Sequence, residues 1–402
     1  MENTRLSKKI SGVAPSLTLA ITAKAKAMKA AGEDVVSFGA GEPDFPTPAH
    51  IVEAAKRALD EGRTKYTPSA GLPALREAIC RKLKADNDLS YEPSQIIVSN
   101  GAKQSVFNAC FALLNEGDEA IIPAPYWLTY PETVKLCGGV PVILPARSEN
   151  GFKITAEELE NAITPKTKLL IFNSPCNPTG AVYSEAEIRA IAAVCLRRGV
   201  YVLSDEIYEK LVYDGAKHFS IACVSEEMKD RTITVNGVSK TYAMTGFRIG
   251  YLAAPKDIAA AIDSFQSHAT SNACTISQYA AIEALASPAS EAEEMAKIYA
   301  RRRALLLDKI SRIAGADCVK PYGAFYVLLK TQALYGKTVR GRKILDSTDF
   351  CAALLEEKKV AAIPGKSFGA DDFVRLSYSL SEADIEKGMA RIAEFFEETL
   401  KG

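Results

Sequence analysis

The chain has 402 residues, 48% of them hydrophobic, enough for one large or two medium domains with sizeable cores. Lysine plus arginine and aspartate plus glutamate each number 49, so the formal net charge is zero and nothing favours a polyanion such as nucleic acid. No apolar run approaches the roughly 18 residues that a membrane span needs, and the start, MENTRLSKKISGVAPS, lacks the apolar stretch of a secretory signal. Nine cysteines, without a CxxC pair, read as reduced thiols of a cytoplasmic protein. The three histidines, His50, His218 and His268, are far apart in sequence, so no metal site is expected.

In chain order, IVEAAKRALDEG (51–62) comes first, with apolar residues at 51, 52, 54, 55, 58 and 59 and a closing glycine, which predicts a helix. Seven short β-rich runs follow, each flanked by turn residues: QIIVSN, EAIIPAP, VPVILPA, KLLIFNSP, GVYVLSDE, TITVNG and IGYLAAP. Helical stretches such as 103–115 and 184–198 lie between them. This alternation predicts an α/β domain with a mostly parallel sheet. Beyond about residue 285 the pattern changes. A long amphipathic helix precedes GAFYVLLK, a polar stretch at 334–347, a helix at 348–359, AAIPG, FVRLSYS and a last helix from 382. The expected division is an arm at 1–45 that packs with the smaller domain or reaches a neighbouring subunit, a large domain at 46–285, and a smaller α+β domain at 286–402.

Several strands end in polar residues at the carboxyl edge of the sheet, where such folds bind ligands. SNGAKQS ends one strand and opens a helix, so Gly101 and Ala102 allow close backbone approach and free N–H groups suit a phosphate. The next edges carry Asn177 in NSPCNPTG, Asp205 and Tyr208 in VLSDEIY, and Ser239 and Lys240 in TVNGVSK. Each residue alone has a plainer reading. Asp205 would be a helix N-cap, Asn177 a turn residue, Lys240 a solvated lysine, and Tyr208 and Trp127 core or rim aromatics.

Together the segments resemble a known family. GVSKTYAMTGFRIG is similar to the pyridoxal-phosphate attachment signature of the class I and II aminotransferases, and APYW, NPTG and SDEIY stand in that family's order. The resemblance runs from AGEPDF (40–45) to VRLSYS (374–379). It implies a fold-type I transferase with a seven-stranded sheet, acting on amino acids and 2-oxo acids as a homodimer. Lys240 would hold pyridoxal 5'-phosphate as a Schiff base and later move the substrate proton. Asp205 would pair with the ring nitrogen, Tyr208 and Asn177 would bond the phenolic oxygen, and Trp127 would stack on the ring. Ser239, Arg248 and the N–H groups near Gly101 and Ala102 would hold the phosphate, with Tyr66 reaching the phosphate of a neighbouring subunit.

For substrate, Arg375 would grip the α-carboxylate and Gly41 would close over it. Lys103, with Thr18 and Ser16, resembles the distal-carboxylate site of prokaryotic-type aspartate aminotransferases, a subgroup that includes relatives using prephenate. The rivals share the cofactor set: a carbon–sulfur lyase, an aminocyclopropane-carboxylate synthase or an aromatic aminotransferase. A regulator using the fold as an amino-acid sensor would need an added DNA-binding domain. Three positions depart from the pattern: Gly237 replaces a frequent serine, Phe247 a tryptophan and Cys176 an asparagine. The stretch 334–347 is expected to be an exposed insertion able to cover the site.

Overall fold

Each β-rich run becomes a strand of one sheet: β1 (Ile96–Ser99), β2 (Glu119–Ala124), β3 (Val140–Pro145), β4 (Thr167–Asn173), β5 (Tyr201–Asp205), β6 (Thr232–Gly237) and β7 (Gly250–Ala253). The structure, a computed structural model, describes residues 5, 7–13, 17–287 and 290–401. The strand order is β1-β7-β6-β5-β4-β2-β3. All pairings are parallel except those of β7, which runs antiparallel to β1 and β6. The fold is therefore the expected α/β one, with a mostly parallel sheet of seven strands.

The central strands are apolar on both faces because both faces are covered. Along β4, Leu169 and Ile171 join one core while Leu170 and Phe172 join the other. The helix Ala102–Leu113 covers the first face with Val106, Ala109 and Cys110. The helix Glu185–Arg198 covers the second with Ile188, Ile191 and Cys195. That helix starts where Ser184 and Glu187 form a reciprocal cap and stops at Gly199 in the left-handed region. Truncating the fully buried Leu203 to alanine would cost about 2–5 kcal/mol.

A second sheet follows in the chain: β8 (Asp317–Cys318), β9 (Tyr326–Lys330), β10 (Ile363–Pro364) and β11 (Phe373–Ser377). It is antiparallel, in the order β10-β11-β9-β8. The helices Ser290–Ser311 and Glu382–Lys401 pack on it through Tyr299, Leu306, Ile385 and Phe396. Val36–Ser37 pairs in parallel with Val360–Ala361, which ties the N-terminal segment to this part of the molecule. No described helix is long and apolar enough to cross a membrane.

The stretch 334–347 is corrected as a cover for the site. Thr338–Val339 and Arg342–Lys343 form a small hairpin, and Arg340 and Arg342 are paired with Glu357 and Glu356 on the helix Ser347–Lys358. Those ion pairs hold it against the helix, and none of its residues lines the cavity described next.

Candidate active site

The carboxyl ends of β4, β5 and β6 open into a cavity of about 780 Å³. Parallel strands all deliver their last residues to this edge, and the turns after them supply the polar side chains. Asp205 is the last residue of β5, Asn173 the last of β4, and Ser239 and Lys240 follow β6. From the second sheet, Tyr326 and Arg375 close the other wall.

Lys240 Nζ donates to the Gly41 carbonyl at 2.6 Å. Solvent reaches the lysine only in part. Burial lowers its ammonium to about 8, with Arg248 and Arg375 acting in the same direction and Glu42 and Asp205 against it. Asp205 is buried, and no helix follows it, so it is not an N-cap. Its carboxylate accepts from the Tyr130 hydroxyl at 2.6 Å and from the Ile207 N–H at 3.3 Å. Burial nevertheless pushes its carboxyl up to about 6, because two neutral donors do not replace a cation.

Arg375 sits in the middle of β11 between β9 and β10, with 2% of its surface exposed. Its Nη1 donates to Asn177 Oδ1 at 3.0 Å and its Nη2 to the Gly39 carbonyl at 3.3 Å, while its buried Nε has no partner among the described residues. The Tyr326 ring lies 4.4 Å from the guanidinium carbon. Tyr208 shares a 3.0 Å hydrogen bond with Tyr326.

Arg248 donates to the carbonyls of Thr245 at 2.9 Å and Asn100 at 3.3 Å, which lays its guanidinium beside the start of the helix Ala102–Leu113. Glycines make this approach possible. A Cβ on Gly101, whose φ is +83°, would lie 2.3 Å from Arg248 Nη2, and one on Gly250 would lie 2.1 Å from the Ala102 nitrogen. Helix N–H groups, a guanidinium and the Ser239 hydroxyl thus meet on one side of the cavity, a donor set suited to a phosphate. Trp127 lines the wall edge-on to Tyr130, and Lys103 Nζ lies 5.0 Å from the Trp127 ring centre. Burial, then Arg248, lowers the Lys103 ammonium.

Of the residues singled out in the sequence, Gly41, Ala102, Lys103, Trp127, Asn177, Asp205, Tyr208, Ser239, Lys240, Arg248 and Arg375 line this one cavity. Gly101 lies just beneath Arg248. Tyr66 does not line the cavity and is 91% exposed. Ser16 and the side chain of Thr18 lie outside the described residues. Gly237 pairs with Gly250 and does not line the cavity; a Cβ there would meet the Ile249 carbonyl at 2.9 Å. Phe247 packs in the core around Val238 and Met244, and burial raises the Cys176 thiol.

Tyr130, Asn173, Tyr326 and Glu42 are site residues that the sequence reading missed. Tyr130 lies three residues after Trp127, in the first turn of the helix Thr129–Leu136. His218, unassigned in sequence, bonds Glu206 at 3.0 Å beside Glu209, and Lys82 pairs with Glu209 as the cation of that group.

Residues 33–392 match the family model "Aminotransferase class I and II", and the chain belongs to that family. It is 52% identical over 393 residues to the aspartate aminotransferase of Geobacillus stearothermophilus, covering 98% of this chain and 99% of that one. It is 49% identical over 395 residues to a probable aspartate/prephenate aminotransferase of Aquifex aeolicus, again covering 98% and 99%. Among solved structures it is similar to the aspartate aminotransferase of Rhizobium meliloti, with a TM-score of 0.94, 45% identity and 98% of each chain covered.

Proposed function

We propose that the chain is an aspartate aminotransferase that binds pyridoxal 5'-phosphate on Lys240 and moves an amino group between aspartate or glutamate and 2-oxoglutarate or oxaloacetate. One observation carries the reading: Lys240 and the buried Asp205 share a cavity with a phosphate-type donor set on one side and the guanidinium of the buried Arg375 on the other. When bound, the cofactor supplies an electron-withdrawing ring that makes the amino acid's Cα proton acidic. Asp205 offers its carboxylate to a cationic ring N–H, and such a partner draws its carboxyl back toward the ordinary range. Lys240, at about 8, is neutral often enough near neutral pH to take the Cα proton and return it.

Arg375 holds the α-carboxylate in a fork that Asn177 and Gly39 keep in place. Lys103 meets the distal carboxylate. Tyr208 donates to the cofactor's phenolic oxygen, Trp127 covers the ring, and Arg248, Ser239 and the Ala102 N–H hold the phosphate. The exposed Tyr66 suits a contact with a second copy, so the enzyme acts as a homodimer in this reading. Nine unpaired cysteines fit a reducing compartment, the cytoplasm. The division at about residues 45 and 285 belongs to the same reading, with the cavity between the two sheets.

A second acceptor is favoured by the Aquifex aeolicus relative, whose name includes prephenate. The test is a set of half-reaction spectra of purified holoenzyme with single amino acids, then with oxaloacetate, 2-oxoglutarate and prephenate. A cofactor band that responds to aspartate and is restored by 2-oxoglutarate supports the reading. A band that responds to neither dicarboxylate overturns it.

A further inference from the structure

Among the described residues, six basic side chains line the cavity against two acidic ones, Glu42 and Asp205. Lys103, Lys240, Arg248 and Arg375 already have tasks in the proposed reaction. Lys26 and Lys29 have none. Both lie on the helix Leu17–Ala30, where Thr22, Ala25, Lys26 and Lys29 recur at the i, i+3, i+4, i+7 spacing of one helical stripe and line the cavity mouth. Ile21, Ala25 and Met28 fix the helix by packing against Val35, Leu355 and Ala361. That packing sets the direction in which the two lysines face.

Among the described residues, nothing neutralises the charge on this stripe. Nearby lysines are ion-paired: Lys24 with Glu356 at 3.4 Å, Lys359 with Glu33 at 2.8 Å and Lys387 with Asp34. Neither Lys26 nor Lys29 has such a partner among the described residues, and both are exposed. A helix that needed these lysines only for solubility would gain from the same neighbouring acids. A cavity mouth of one sign with low-dielectric walls raises the local concentration of oppositely charged substrate.

We propose that Lys26 and Lys29 are steering residues that draw anionic substrates into the cavity and favour them in proportion to net charge, without touching the bound substrate. The proposal rests on the aminotransferase reading above and deepens it. Its signature differs from that of Lys103, which answers to a distal carboxylate at contact distance. Steering answers to total charge, so 2-oxoglutarate at −2 feels it more than aspartate at −1, and phenylalanine at zero does not. Two charges acting through water over about 10 Å change the local concentration of a dianion by about three- to tenfold at low salt. Salt near 0.5 M shortens the screening length to about 4 Å and removes most of this.

The experiment uses holoenzyme of wild type and the K26Q/K29Q double variant, with kcat/KM measured at low and high salt. At low salt the loss should be about three- to tenfold for 2-oxoglutarate, about two- to threefold for aspartate and absent for phenylalanine. At high salt all three should return to within about twofold, with kcat unchanged throughout. Equal losses for the three substrates, losses that persist at high salt, or no loss at all would each overturn the proposal. Association of succinate, an unreactive dicarboxylate followed by cofactor absorbance, separates the two layers. No succinate binding to wild type overturns the dicarboxylate reading together with the steering. Binding to wild type with an unchanged association rate in the variant overturns steering alone.

Discussion

Asp205 and Glu209 are four residues apart on the turn that leaves β5, and both are buried, yet their proton affinities move in opposite directions. Burial pushes the Asp205 carboxyl up to about 6. The same burial acts on Glu209, but Lys82, with His218 and Asn87 behind it, holds that carboxyl at about 2. Glu206 between them accepts from Ser204 at 2.8 Å and Ser220 at 2.6 Å and faces His218. One side of the turn is thus a completed ionic group that anchors the chain, and the other is a charge left short of its cation. The difference teaches where chemistry belongs, since an incomplete ionic site is costly to keep and is explained by a partner that arrives from outside.

The largest effect should come from removing the lysine on the incomplete side. Lys240→Ala is expected to bind pyridoxal phosphate but to lose turnover by about four decades or more. Borohydride reduction of wild type followed by peptide mass mapping should find the cofactor on Lys240. An adduct on any other lysine would break the assignment.

Asp205→Asn should lower kcat by about two to four decades, at about 1.4 kcal/mol per decade. It should also do something a purely structural carboxylate would not. In cofactor-free protein the folded state keeps the Asp205 proton up to about pH 6, while the unfolded chain releases it near 3.8. Stability therefore falls as pH rises between those values and stays lower above them. The amide of the variant carries no such proton to lose, so the cofactor-free variant should be more stable than wild type at pH 7 by about 2–3 kcal/mol and equal to it near pH 3.5. Urea midpoints at the two pH values check this. A variant less stable than wild type at pH 7 would mean that Asp205 is as well satisfied as Glu209.

The anchoring side should respond in stability instead. Lys82→Ala leaves Glu209 buried without its cation and should cost about 3–5 kcal/mol in denaturant unfolding, with kcat of the folded fraction little changed. Glu209 has a depressed carboxyl, so its contribution is complete above about 4.5 and is lost as pH falls toward 2. Glu209→Gln should flatten the stability profile in that acid window and nowhere else. A variant of Lys82 that loses kcat as steeply as Asp205→Asn would merge the two sides into one functional unit.

The two sides were not equally legible in the sequence. Asp205 and Lys240 stand out because each ends a β-rich run, and the period of those runs can be read without knowing the pairing. The Lys82–Glu209–His218 group cannot be read that way. Its members lie on a helix, a turn and a loop, and only the packed chain brings them within reach. Tyr326 was missed for the same reason, since it reaches the cavity from a distant segment, whereas Glu42 adjoins Gly41 and was missed because nothing in the sequence marks its side chain as facing the cavity. The hairpin around 338–343 misled because polarity reveals exposure but not attachment, and its arginines are tied to Glu356 and Glu357. Gly237 shows the converse. The missing hydroxyl would not have faced the cavity, because that strand position is filled by the backbone of β7.

The smallest of these effects sharpens the comparison within the incomplete side itself. Arg375 is held in the cavity wall by Asn177 and Gly39, so it is preset for a group that every substrate carries. Among the described residues, Lys103 has only the Trp127 face and the repulsion of Arg248 around it. Its ammonium gains a full partner only when a second carboxylate enters. Lys103→Ala should therefore harm aspartate, glutamate and prephenate while sparing phenylalanine. A lost charged hydrogen bond costs about 1.5–3 kcal/mol, or about 10- to 150-fold in kcat/KM. Arg375→Ala, by contrast, should lower kcat/KM for all four. The pair of variants measured against the four substrates separates the roles. Equal losses for aspartate and phenylalanine in Lys103→Ala would make Lys103 a support for Trp127 and the cofactor, and the dicarboxylate preference would have to be carried elsewhere in the cavity.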